Sequence, residues 1–479
     1  MLRCLLMISC LTFPACHAPG ALIPPRESTA WTEVWVDGAR GEGGDGSPRR
    51  PFSSLPRALA RAVPGGPPLR VHLAPGRYPG PFVLPASVEL VGAGESSVLA
   101  GEGAGPVVRA PEGVTVRSLG VQGGAWGLEA AGPVRLEAVR FGGQEEGAVR
   151  MEAGQLAAAG CAFEAGGERA VGVLLSGGAR GEVRESSFTG AFRRGVEARE
   201  VELELESVRF RGAVTALYQV AGRVRLRHVT VGEGREAGLF AQRGSLRLED
   251  VTVTGHEYGL QTVETTLEAR GFTSVRAVRA GVVLIGSRGE LEETVVLGSG
   301  NYGAMLLVGS DLVLRGVRVD GADEYGISVT RGRLRLQHAV MTRLTSRGGD
   351  SGDGLHLRDA EVEVEGLLVR NVAGVGVLGA QGSRVLLRDV SLESCQEAGV
   401  LAETLGRVTA EGLVVRGSGG PALSAMENGV LRVDALTARE NAAGLVWADC
   451  QGGTEVMLGR VTGQDTPGAE VDCVARPSP

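Results

Sequence analysis

Along most of the chain apolar and polar residues alternate with a period of two, and glycine interrupts the alternation at regular intervals. In GLFAQRGSLRLEDVTV, residues 238–253, the apolar positions are Leu239, Ala241, Leu246, Leu248, Val251 and Val253, with polar neighbours between them. Successive side chains of a strand point to opposite faces, so the pattern predicts two or three short strands per unit, each burying one face. No unit offers ten or more uninterrupted residues of helical period between its glycines.

The unit recurs. Aligned on its leading residue, it starts at Gly127, Gly147, Gly172, Gly195, Ala216, Gly238, Gly259, Gly281, Gly303, Gly326, Gly354, Gly376, Gly399, Ala422 and Gly444. The mean spacing of about 22.6 residues lies in the range of solenoid repeats. One unit is then one coil of a parallel β-helix. Coils stacked at about 4.8 Å make the fourteen intervals a rod of about 67 Å. The expected fold class is all-β, about 15–17 coils, with 31–105 as N-terminal cap and first coils and 106–479 as the repeats. A leucine-rich repeat has a similar period but needs an asparagine ladder, and Asn stands only at Asn301, Asn371, Asn428 and Asn441. Sandwiches lack a fixed period, and propeller blades run to about 40 residues.

Composition now acquires a meaning. Glycine supplies 76 of 479 residues, far above the ordinary share of roughly 7% and without the period of collagen, so the excess belongs to the coils. A hydrophobic content of 43% excludes a disordered chain. The formal charge of -7 is spread along the sequence, and every basic residue is Arg, which leaves no basic footprint for nucleic acid. Aromatic residues, at 4%, are few for a protein that stacks sugars or bases.

The first residues, MLRCLLMISCLTFPAC, place one Arg before a short apolar run. That is the pattern of a signal peptide, 1–15, and too short for a membrane span of about 20 residues. Phe13-Pro14-Ala15-Cys16 resembles a bacterial lipobox, which makes Cys16 the expected lipidation site, although Phe13 and Pro14 depart from the usual residues. Cleavage after Ala18 to a soluble secreted protein is the alternative. Residues 16–30, with Pro19, Pro24 and Pro25, read as an extended tether. The expected location is the cell envelope, as an outer-membrane lipoprotein or a secreted protein, with membrane contact only through the lipid.

Residues 35–94, WVDGARGEGGDGSPRRPFSSLPRALARAVPGGPPLRVHLAPGRYPGPFVLPASVELVGAG, resemble the N-terminal part of right-handed parallel β-helix proteins of the pectate-lyase-like superfamily. With the repeats, the likeness covers nearly all of the mature chain. It implies a right-handed coil, with sites on the outer face of the first strand of each coil. Independently, Leu55, Ala58, Leu59 and Ala62 share one face of a short helix, within 53–63, that can cover the first open coil.

If the residue after each leading position points inward, the next points outward: Tyr218, Phe240, Gln261, Val283, Met305, Ser328, His356, Leu378, Leu401, Ser424 and Val446. Phe240, Val283, Ile285, Met305, Leu307, Leu378 and Leu401 then form an apolar outer stripe, a surface for a partner protein or a second copy. The later strands instead project Arg225, Arg227, Arg247, Glu249, Glu361, Glu363 and Glu365 as solvated ladders.

One unit is long, the 28 residues from Gly326 to Asp353, and it runs into SRGGDSGDGLHL. Asp350, Asp353 and His356 converge there, with Arg358 two residues further along the same face. Two carboxylates beside an imidazole suit acid/base catalysis, and Asp350 with Asp353 suits a calcium loop. An ordinary Gly/Asp turn with a solvated histidine reads the same residues without function. His228 and His338 are equivalent but five coils apart, so they share no metal. The motifs of polygalacturonase-type hydrolases and of pectate lyases do not occur, which leaves an Arg base open, and no zinc, phosphate-loop or serine-elbow motif occurs either.

Of the seven cysteines, Cys4 and Cys10 lie in the leader; Cys161 takes a core position and Cys395 a turn ten coils away. Cys450 and Cys473 fall at nearly equivalent positions of the final coils, a spacing that suits a disulfide. Two functions remain: a cell-surface binding or structural rod without catalysis or cofactor, and a polysaccharide-active enzyme, a lyase before a hydrolase, with calcium as its one candidate cofactor.

Overall fold

The computed structural model describes residues 31–347, 351–463 and 473–475. The expected export segment, the tether, Cys16 and Asp350 lie outside these residues. The strand Thr32–Val36 pairs in parallel with Leu69–Leu73, and between them stands the one helix of the described residues, Leu55–Leu59. Pro56 starts that helix, where its missing N–H has no partner to lose. Leu55, Ala58 and Leu59 are buried and Ala62 is partly so; the helix is shorter than the 53–63 expected, but its apolar face closes the first coil.

From there the chain winds into a parallel β-helix of about 18 turns, slightly more than the 15–17 read from the repeats because the cap region coils as well. The first strand of each coil, such as Ala237–Gln242, builds a leading sheet, and the rest of the coil, such as Ser245–Thr254, builds a trailing sheet. Every strand pairs in register with its equivalent one coil on, as in Leu239 with Leu260 and Val251 with Phe272. Within a coil the chain bends at residues of positive φ. Arg243 (φ 53°) and Asp250 (φ 52°) bound one trailing segment, and the bends of other coils fall at His228 (φ 53°), within the strand Arg223–Gly232, and at His338 (φ 55°), within Arg333–Thr345.

The inward columns form the core. Phe141, Phe163, Phe188 and Phe210 stack ring on ring at 5.4, 4.4 and 4.7 Å, and Val231 and Val253 continue their column. This stack explains the leading glycines. A Cβ at Gly195 would stand 2.6 Å from the Phe210 ring, and one at Gly172 2.7 Å from Phe188. The leading glycines therefore make room for the column that faces them across the core.

The coil register corrects three unit starts: the leading positions are Ala148, Ala304 and Leu445, one residue after Gly147, Gly303 and Gly444. On the trailing sheet charges do form ladders; Arg227 lies between Glu206 at 3.3 Å and Glu249 at 3.4 Å. Cys395 is corrected from a turn to the buried last residue of the strand Arg384–Cys395. Cys161 and Cys395 are free thiols, pushed up to about 11 and about 12 by burial. Cys450 and Cys473 form a disulfide with Cα atoms 5.3 Å apart. No helix among the described residues is long and apolar enough to cross a membrane.

Candidate functional site

The outer face of the leading sheet is built by a break in strand alternation. In a regular strand, residues three apart face opposite ways. At the leading position the alternation fails, so the residue before it and the second residue after it share the outer face. Arg194 and Glu197 pair this way at 2.5 Å, Val375 packs with Leu378, and Val171 with Leu174.

Asp353 and His356 occupy these two positions around Gly354. His356 Nδ1 lies 2.6 Å from Asp353 Oδ2, and Asp353 Oδ1 accepts the Val375 N–H at 2.8 Å. An ionised carboxylate only accepts, so Nδ1 carries the proton, and in the neutral ring Nε2 carries the lone pair. Both side chains are about 95% buried, at 4% exposure for Asp353 and 5% for His356. Gly374 leaves space for the acid, since a Cβ there would stand 2.3 Å from Asp353 Oδ1. The Tyr325 ring packs against the imidazole, centroids 4.6 Å apart. His356 Nε2 is buried with no hydrogen-bond partner among the described residues. The imidazole is thus held through Nδ1 by a carboxylate that is itself fixed.

Around this pair, Ser328 stands beside His356 on the preceding coil and Leu378 on the following one. Arg358 is exposed on the same face, in register with Thr330 and Ala380. Two coils on, Glu403 feels both His356 and Arg358; burial, then the charge of Glu427, holds its carboxyl above the usual range, and His356 and Arg358 oppose the rise. Burial and the charge of Asp353 likewise raise Glu397. Of the four residues singled out by sequence, Asp353 and His356 touch, Arg358 shares their face, and Asp350 is outside the described residues. Glu403 and Tyr325 were missed, since neither belongs to the motif; only coil register brings them near it. Among the described residues no group of three or more His, Cys, Asp or Glu gathers as a metal centre.

The apolar stripe is corrected in detail. Met305, Leu307 and Val446 are core residues, 0%, 1% and 2% exposed, because the leading positions there are Ala304 and Leu445. Leu306, Val308 and Trp447 take the outer positions instead. Phe240, Val283, Ile285, Leu378 and Leu401 do lie on the outer columns. Tyr218 and Phe240 stack at 5.0 Å, and the Arg194 guanidinium lies 3.5 Å over Tyr218.

No family profile and no curated relative matches the sequence. Among solved structures, a pectate lyase is similar over 70% of this chain and 78% of its own, at 12% identity and TM-score 0.28. An alginate lyase of the PL6 family is similar over 90% of this chain and 100% of its own, at 9% identity and TM-score 0.26. The catalytic unit of an α-1,3-glucanase from Streptomyces thermodiastaticus is similar over 87% and 65%, at 14% identity and TM-score 0.19. At these values the activity has to be argued from the site.

Proposed function

We propose that the protein is an exported binding rod, held to the cell envelope through a lipid on Cys16, whose leading sheet docks the apolar surface of a partner protein. The observation that carries this reading is the composition of the outer columns: Phe240, then Val283 with Ile285, then Leu306 with Val308 stand on three of four successive coils, and the coil between Phe240 and Val283 presents Gln261 and Val263. At roughly 25 cal/mol per Å2, covering a few hundred Å2 of such surface contributes several kcal/mol. A polysaccharide groove would present acids, arginines and aromatic platforms in those places. Phe240→Asp with Leu306→Asp tests it: partner capture or self-association is lost while the circular dichroism spectrum stays that of wild type. Met305→Asp is the control, expected to unfold, because it buries an unpaired charge in the core. Undiminished association in the double variant would overturn the reading. Cys16→Ser is expected to release the protein from the membrane fraction, and retention there would remove the lipid anchor.

A second reading, a polysaccharide-active enzyme, is supported by the Asp353–His356 pair with Arg358 and Glu403 on one face. A base, a cation and a carboxylic acid of raised pKa are the groups an elimination next to a uronate requires. New unsaturated ends on an acidic polysaccharide, absent with His356→Gln, would favour it over the rod.

A further inference from the structure

We propose that Ser328, His356 and Asp353 form an ester-cleaving site in which Ser328 is the nucleophile, His356 its base and Asp353 the residue that positions the base. The proposal shares the dyad with the polysaccharide reading but gives it another task, and it stands independently of the apolar docking face.

Three observations carry it. Asp353, fixed by the Val375 N–H, holds His356 through Nδ1 at 2.6 Å and so leaves the lone pair on Nε2. Nε2 is buried and has no hydrogen-bond partner among the described residues, an unfavourable state for a polar atom unless the site is made to receive one. Ser328 is the residue paired with His356 across the parallel strands, in the same outer column one coil back, and is 4% exposed. In-register pairing sets the Ser328 and His356 backbones one strand spacing, about 4.8 Å, apart, and the proposal requires the hydroxyl to turn to Nε2 by a change of rotamer. Nucleophile, base and orienter thus come from two adjacent coils, the relation that defines such a set whatever the fold.

The surroundings indicate the substrate. Ser328 pairs with Leu306 on its other side, and beyond His356 lie Leu378 and Leu401, so the acyl group meets apolar side chains. Arg358, exposed on the same face, is the cation that would face the oxyanion, because the leading-sheet N–H groups flanking Ser328 and His356 are used in coil-to-coil pairing. The class is an ester of a short apolar acid. Ser328 Oγ attacks the carbonyl carbon while Nε2 takes its proton. The bond to the alcohol oxygen then breaks, and Nε2 returns the proton to that oxygen. Water repeats the sequence on the acyl-serine, releasing the carboxylic acid and restoring Ser328.

The full-length protein is treated with a fluorophosphonate probe and, separately, with p-nitrophenyl acetate and butyrate. The expected result is stoichiometric labelling, mapped by peptide mass spectrometry to Ser328, and ester turnover. Ser328→Ala and His356→Gln should abolish both, with unchanged circular dichroism. Asp353→Asn should lower kcat by about 10⁴-fold at similar KM, the signature of a mispositioned base rather than a damaged fold. Should Asp353→Asn fail to fold, Ser328→Cys replaces it, expected to keep slow turnover that an alkylating thiol reagent stops. Label elsewhere than Ser328, or turnover surviving Ser328→Ala, overturns the proposal. If folded wild-type protein shows neither label nor turnover, the proposal also falls. Acidic polysaccharide cleaved equally by wild type and Ser328→Ala would assign the dyad to the sugar reading and overturn this one; the docking face is judged separately by the Phe240 and Leu306 variants.

Discussion

His256 makes acid stability the sharpest test of the core. It is 1% exposed, and neither ring nitrogen has a hydrogen-bond partner among the described residues. Burial lowers its pKa from 6.5 to about 4; the nearby Glu236 carbonyl opposes the shift without reaching hydrogen-bonding geometry. Gly234 is what admits the ring, since a Cβ there would fall 1.8 Å from His256 Cε1. Because the folded pKa is the lower one, the unfolded chain binds the proton first as pH falls. Stability is therefore full above about pH 6.5 and declines toward pH 4. A gap of about 2.5 pH units at 1.36 kcal/mol each gives a loss of about 3 kcal/mol. His256→Phe keeps the ring and removes the titration. Urea midpoints of both proteins between pH 7.5 and roughly 3.5 should diverge by that amount in acid, carboxylate titrations being common to both. Since repeat arrays can open locally, amide exchange at Val278, whose N–H is bonded to the His256 carbonyl, provides a local readout. Parallel pH curves for the two proteins, or a ring titrating near 6.5 by NMR, would refute the reasoning.

Two further outcomes follow from packing. Gly195→Ala drives a Cβ to 2.6 Å from Phe210 and 2.7 Å from the Ala216 carbonyl, so it should lower stability by about 1–3 kcal/mol in denaturant titration; an unchanged midpoint would count against the proposed role of the leading glycines. Cys161 and Cys395 should resist thiol reagents until denaturant is added, while Cys450 and Cys473 should react only after reduction; rapid native labelling of Cys395 would contradict its burial.

The fold was legible because a solenoid repeats its physics. Each coil restates the alternation of Leu246, Leu248, Val251 and Val253, and fifteen restatements leave little freedom. What failed was register. Gly303 and Gly444 are glycines one residue too early, and a single-residue slip exchanges core and surface, which carried Met305, Leu307 and Val446 to the wrong side. The start at Ala304, like those at Ala148 and Leu445, lacks the glycine that marks most others, so only pairing with Gly281 and Gly326 fixes it.

The site was half legible for a related reason. His356 and Arg358 are two apart and share a face by simple alternation, but Asp353 is three residues before His356, and a regular strand would send it into the core. Gly354 undoes the alternation, as Gly195 does for the pair Arg194 and Glu197 and Gly376 for Val375 and Leu378. The space that the core columns demand at each leading position is thus also what brings side chains three apart together outside. In the coils of Gly195, Gly172 and Gly376 that juxtaposition is filled by an ion pair or an apolar contact and ends there. Among the described residues it joins a carboxylate to an imidazole at Gly354 alone, with a serine in register on the preceding coil and a ring nitrogen without a partner among those residues. A packing requirement that recurs along the rod has, in this coil, put together the parts of a reactive site.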